Sequence, residues 1–276
     1  MSTLADGLRL SFGTLTVLPA GVPRRVDRVV GRWAMVLAPA AGVVMGGIAA
    51  GVVALVQLVR PDAGLLAAVL GVLVVAGLSG GLHLDGLADY ADALGSRRDR
   101  ERMLQIMKQS DIGPFGVVAI AGVLLLDVAA LTACVQAGFG WQAILIATVA
   151  SRLTLPWSCR TSIPAARPDG LGTVVAATIR PATATLTTAL VLAATTTLTW
   201  LQPASPTSLQ HPTSTPPDAS AWQLIGAGSA VLLAVGTSLL TSRQATKKLG
   251  GTTGDVLGAT VELALPVALV ALALTV

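Results

Sequence analysis

Three aspartates, Asp85, Asp89 and Asp92, stand at i, i+4 and i+7 within GGLHLDGLADYADALGSRRDRERMLQIMKQSDIGPFG, residues 80–116. On a helix turning 100° per residue they fall in a stripe about 60° wide. Three like charges that close repel one another unless a cation compensates them. A second segment, KKLGGTTGDVLGATVE, repeats the arrangement with Asp255 and Glu262 seven residues apart on one face. Glycines precede both sets and allow backbones to approach closely. A solvated helix face is the plainer reading of one such stripe. Two stripes beside apolar runs point instead to a hard oxygen-ligand site, suited to Mg²⁺ or Mn²⁺ with bound phosphate rather than to zinc.

Phosphate also calls for cations. Arg152 is expected a few residues from the inner end of an apolar run, where its guanidinium could snorkel to the interface and grip a diphosphate bidentately; anchoring beside Trp157 is the equal alternative. Lys108 in MLQIMKQSD and Arg167 in ARPDGLG are further phosphate-binding candidates. Gly254 closes a Gly-rich turn whose N–H groups could face an anion. His83 sits about 200° around a helix from Asp85, which predicts that it faces away from the acids and makes a structural hydrogen bond.

The elements that position these residues must be membrane helices. Hydrophobic residues make up 53% of the 276-residue chain and charged residues only 12%, far below the usual quarter of a soluble protein. The apolar residues form runs of about 20, the length that crosses a hydrocarbon layer of roughly 30 Å. Seven spans are predicted: Trp33 to Val59, Ala63 to Leu82, Pro114 to Val135, Phe139 to Ser158, Pro181 to Leu201, Trp222 to Thr241 and Val256 to Val276. All but Arg60 of the 18 Lys and Arg residues then fall on one side, which predicts a cytoplasmic N-terminus and a cytoplasmic site in the cell membrane. The five tryptophans fall at span ends. The Pro-, Ser- and Thr-rich stretch from Gln202 to Ser220 reads as a flexible loop on the far side. The basic residues are topogenic, so no nucleic-acid partner is expected despite a pI near 9.7. The fold class is therefore all-α, a multi-pass helical bundle forming one membrane-embedded domain over residues 1–276, with the lipid bilayer as its solvent.

These blocks together resemble a known family. LSFGTLTVLP, GGLHLDGLADYADAL, RDRERMLQIMKQSDIGPFG, the pair Ser151 and Arg152, ARPDGLG and KLGGTTGDVLGATVEL are similar to the cobalamin synthase (adenosylcobinamide-GDP ribazoletransferase) family. The resemblance implies a Mg²⁺-dependent transfer in which α-ribazole, or its 5'-phosphate, displaces GMP from adenosylcobinamide-GDP. It implies Mg²⁺ held by Asp85, Asp89, Asp92 and Asp255, with Glu262 as a further candidate, and catalysis by Asp89 with Asp85. Asp89 is favoured to take the proton of the attacking hydroxyl. Arg152, Lys108, Arg167 and Gly254 would meet the diphosphate. Association with other late cobalamin-synthesis enzymes is a further implication. The chain departs from the family pattern at Asp111, where arginine is common, and at Leu265, where a second acid is common. Two other classes compete. A CDP-alcohol-type phosphotransferase carries arginine at the place of Asp89, and an ion-coupled transporter would set its acids near the midplane rather than at one end.

Overall fold

The computed structural model describes residues 3–201 and 219–276, so the expected far-side loop lies outside the described residues apart from its last two positions. The described residues form twelve helices, with two isolated parallel bridges, Arg160 to Ile179 and Ala165 to Thr252, as the β pairing among them. In chain order the helices are α1 Thr3–Leu15, α2 Arg28–Val36, α3 Ala38–Val59, α4 Gly64–Leu78, α5 Leu82–Gly95 and α6 Arg100–Ile106. They continue as α7 Pro114–Gln136, α8 Gly140–Ser158, α9 Leu171–Val175, α10 Pro181–Trp200, α11 Ala219–Leu249 and α12 Gly254–Ala273.

Each of the seven expected spans overlaps a helix of this membrane bundle, but fewer than seven of these helices pass as spans among the described residues. Five of the helices, α3, α7, α10, α11 and α12, are long and apolar enough to cross a membrane, and α4 with α5 makes a sixth candidate if the bent pair counts as one. Three expectations need correction. The first span does not begin at Trp33: the chain breaks at Leu37, and Pro39 opens α3 where a missing N–H costs nothing. The second span ends early, because Gly80 and Gly81 adopt φ of +63° and +71°, a region glycine enters freely. This break turns α5 by 86° from α4. The fourth, α8, is interrupted by Gln142, Ser151, Arg152 and Thr154. It is not apolar enough to pass as a span alone, yet it is almost wholly buried.

Helix α8 lies at the centre, sheathed by α3, α10, α11 and α12. Small residues set that packing. A Cβ at Gly42 or Gly46 of α3 would come within 3.0 Å of Thr148 on α8, so bare glycines let the two backbones approach. Helix α11 has 31 residues, about 46 Å at 1.5 Å per residue, so its last turns with Arg243, Lys247 and Lys248 overshoot a 30 Å layer.

The basic loops meet one another. Arg28 donates to the carbonyls of Thr173 at 2.7 Å and Ala176 at 2.8 Å. Arg100 donates to Leu249 O at 2.7 Å and Ala166 O at 3.1 Å. Arg60 stands apart with Asp62 in the loop between α3 and α4. The lopsided charge distribution is thus also a spatial cluster of loops.

Candidate active site

The site is built where α5 crosses the start of α12. A Cβ at Gly86 would meet the backbone of Asp255 at 2.8 Å (O) and 3.0 Å (Cα), and a Cβ at Gly258 would meet His83 Cα at 3.2 Å. Two glycines therefore bring the two acid-bearing helices into backbone contact. Thr253 caps α12, its Oγ1 accepting from Val256 N at 3.2 Å. The same hydroxyl lies 3.2 Å from Asp255 Oδ2, to which it can donate.

The loop before α9 is stitched to this turn. Ala166 N donates to Thr252 O at 2.9 Å, and Thr252 N donates to Pro164 O at 2.8 Å. Gly251 leaves room for Pro164, whose carbonyl would collide with any Cβ there. This pairing carries Arg167 to Asp255, with Nη1 3.5 Å from Oδ2. The Arg167 side chain is only 15% exposed, and its Nη2 is held by Leu104 O at 3.2 Å.

Asp85, Arg167, Asp169, Gly254 and Asp255 all line one cavity of about 280 Å³. Two acid faces 170 residues apart in sequence thus share a space with a guanidinium, as expected from the sequence. Asp89 stands one turn beyond Asp85, half-buried, within electrostatic reach of Asp85, Asp255, Asp92 and Arg167. Among the described residues no three His, Cys, Asp or Glu side chains are gathered tightly enough to hold an ion by themselves.

Other expected site residues are placed elsewhere. Asp92 caps α7: its oxygens accept from Gly113 N at 2.7 Å and Gly116 N at 3.0 Å. Both of its oxygens are therefore engaged by amides rather than turned to the cavity. Lys108 does not enter the cavity either; it pairs with Asp169 Oδ2 at 2.9 Å on the exposed rim. That contact, with the Lys108 charge, holds the Asp169 carboxyl below its ordinary value. In the Gly-rich turn, the N–H groups of Gly250 and Thr252 are already spent on protein carbonyls.

Arg152 is the largest correction. It does not snorkel: it is fully buried, donating from Nη1 to Ser151 Oγ at 2.8 Å, with Nε and Nη2 unpartnered. Glu262 on α12 and Asp127 on α7 lie within electrostatic reach of it, without a direct ion pair among the described residues. Glu262 accordingly belongs to this interior cluster rather than to the cavity. His83 is buried with Nδ1 3.8 Å from Glu262 Oε1, too far for the hydrogen bond expected of it, and it also touches the cavity. The sequence reading missed Asp169 and Thr253. Asp169 lies in the ARPDGLG block beside Arg167, and Thr253 carries the N-cap signal of a Thr placed just before a helix.

The pattern of the cobalamin-5-phosphate synthase family matches residues 7–273. The chain is 38% identical over 275 residues to an adenosylcobinamide-GDP ribazoletransferase of Frankia casuarinae, covering 97% of this chain and 94% of that protein. It is 35% identical to one of the same name from Nocardioides sp., covering 97% and 98%. It is 34% identical to one from Bradyrhizobium diazoefficiens, covering 94% and 89%. No solved structure matches.

Proposed function

Because this chain belongs to the cobalamin-5-phosphate synthase family, we infer that it joins adenosylcobinamide-GDP to α-ribazole or its 5'-phosphate, releasing GMP and forming adenosylcobalamin or its phosphate. The observation that carries the residue roles is the shared cavity of Asp85, Asp255 and Arg167. A hydroxyl oxygen of ribazole bonds to the phosphorus that carries cobinamide, the bond from that phosphorus to the bridging oxygen breaks, and GMP departs with that oxygen. The hydroxyl proton passes to a carboxylate, for which Asp89 is the candidate: it is half-buried and makes no hydrogen bond among the described residues. Arg167, fixed at one end by Leu104 O, presents its guanidinium beside the acids, where it would meet a phosphate oxygen. Leu82, Leu155, Leu171 and Leu257 give the cavity an apolar wall suited to the aromatic base of ribazole.

The donor set fits Mg²⁺, which takes one or two carboxylates and completes its octahedron with water and substrate phosphate rather than a protein-only cage. Asp85 and Asp255, which share the cavity, would hold it, leaving Asp89 free to take the proton. Bound there, it would supply neutralisation of phosphate charge during displacement. The concentration of basic loops around the site supports a cytoplasmic face in the cell membrane. The test is GMP release by isolated membranes given adenosylcobinamide-GDP and α-ribazole. Asp85→Asn and Asp255→Asn should each cut turnover at least a hundredfold, and chelation should abolish it until Mg²⁺ is restored. Wild-type turnover in both variants would remove the acids from the chemistry.

A further inference from the structure

A second, open cleft of about 720 Å³ lies at the other end of the acid stripe, between the end of α5, α6 and the start of α7. Arg98, Arg102 and Phe115 are among its walls, with Asp92, Asp99 and Asp111; Asp99 Oδ1 is held by Arg102 N at 2.9 Å and Asp111 Oδ1 by Ser110 Oγ at 3.2 Å. Phe115 is 53% exposed, and its ring packs over Gly95, where any Cβ would collide with it. The Arg98 guanidinium engages no group among the described residues. The chain reaches Arg98 through Arg97 at φ +52°, a region that non-glycine residues enter at a cost and that recurs beside functional sites. Among the described residues the Arg102 guanidinium is tethered only by Gln105 Oε1 at 3.0 Å. Asp92 brings little free charge, since both its oxygens accept amide hydrogens.

Helix α5 links the two spaces. Asp85 lines the first cavity, Asp92 edges the cleft, and the seven-position step from one to the other spans about 10 Å, with Asp89 along the way. Displacement at phosphorus places the entering and leaving oxygens roughly in line on opposite sides. A hydroxyl arriving from the apolar cavity at the Asp85 end leaves the Asp92 end free for the departing group. We propose that this cleft holds the guanosine monophosphate half of adenosylcobinamide-GDP, with guanine stacked on Phe115 and its phosphate met by Arg98 and Arg102. Base stacking on an aromatic ring and guanidinium contact with phosphate are the two interactions these side chains are built to make.

The assignment rests on the activity inferred above, and the experiment separates the two. Arg98→Ala and Phe115→Leu are assayed for cobalamin formation in membranes, with each substrate varied and with GMP added as a product inhibitor. Each variant should raise the KM for adenosylcobinamide-GDP and the inhibition constant of GMP about tenfold, the size of one lost base stack or charge-assisted bond. The KM for α-ribazole should stay unchanged, which also reports that the bundle is intact. Arg98→Lys should recover part of the loss. Unchanged constants for adenosylcobinamide-GDP and GMP, or an equal rise for α-ribazole, would overturn the cleft assignment alone. A wild-type membrane that forms no cobalamin would overturn the parent activity and the cleft with it.

Discussion

Replacing Gly86 by alanine tests the claim that backbone contact between α5 and α12 sets the active geometry. The new Cβ would lie 2.8 Å from Asp255 O and 3.0 Å from its Cα, where ordinary contact starts at 3.4 Å. The clash is with backbone, so no side chain can swing away, and the helices must part by about 0.6 Å at the point that holds Asp255 against Asp85. Overpacking of this kind costs roughly 1–3 kcal/mol of stability. Misplacement of reacting groups by about 1 Å costs on the order of a hundredfold in rate, so a shift of this size should lower kcat/KM by about ten- to a hundredfold. Gly122→Ala is the control, because nothing lies within 4 Å of a Cβ there. Rates of GMP release and thermal unfolding of detergent-solubilised protein would be measured for both. If Gly86→Ala turned over like Gly122→Ala, close approach of the two helices would not be what places the acids.

Asp92→Ala should act mainly on stability, costing about 1–3 kcal/mol through two orphaned amides at the start of α7. Thermal unfolding would show the loss, while turnover of the folded fraction should fall far less than for Asp85→Asn. Arg152→Met should destabilise by roughly 1–3 kcal/mol, because it removes a cation whose charge reaches the buried Glu262 and Asp127; adding Glu262→Gln should recover part of that in the same unfolding assay. For the rim pair, the depressed Asp169 value means its contribution is present above the ordinary carboxyl value of 3.8 and is lost only as pH falls through the lower folded value. The Tm difference between wild type and Lys108→Ala should therefore be flat from pH 8 to about pH 5 and close only in stronger acid. A difference that vanished near pH 6 would contradict the pairing.

The apolar runs made the helices legible, since lipid accepts little else. The meeting of Asp85 with Asp255 was also legible, because glycines on both helices announced a close crossing. Periodicity could not say which member of a 60° fan faces which neighbour. Asp92 turns to the amides of Gly113 and Gly116, a match visible only once α7 is set beside α5. Arg152 was misplaced for a related reason: depth along a span can be counted, but the acids whose charge reaches the guanidinium, Asp127 and Glu262, come from other helices. The break at Gly80 and Gly81 was not read from the sequence, because the apolar run continues through the pair to Leu82 and periodicity carries no bend.

That right-angle turn after α4 has an effect on hydration. Had α5 continued along α4, Asp92 would sit about 10 Å farther along the membrane normal than Asp85, and the carboxylates would span surroundings from oily to aqueous. Laid at 86° to α4, α5 would keep all three at nearly one level where α4 runs along that normal. On the proposed function, an amphiphilic corrinoid would then meet Asp85 and Asp89 at one depth, without any of its charged groups having to descend into hydrocarbon.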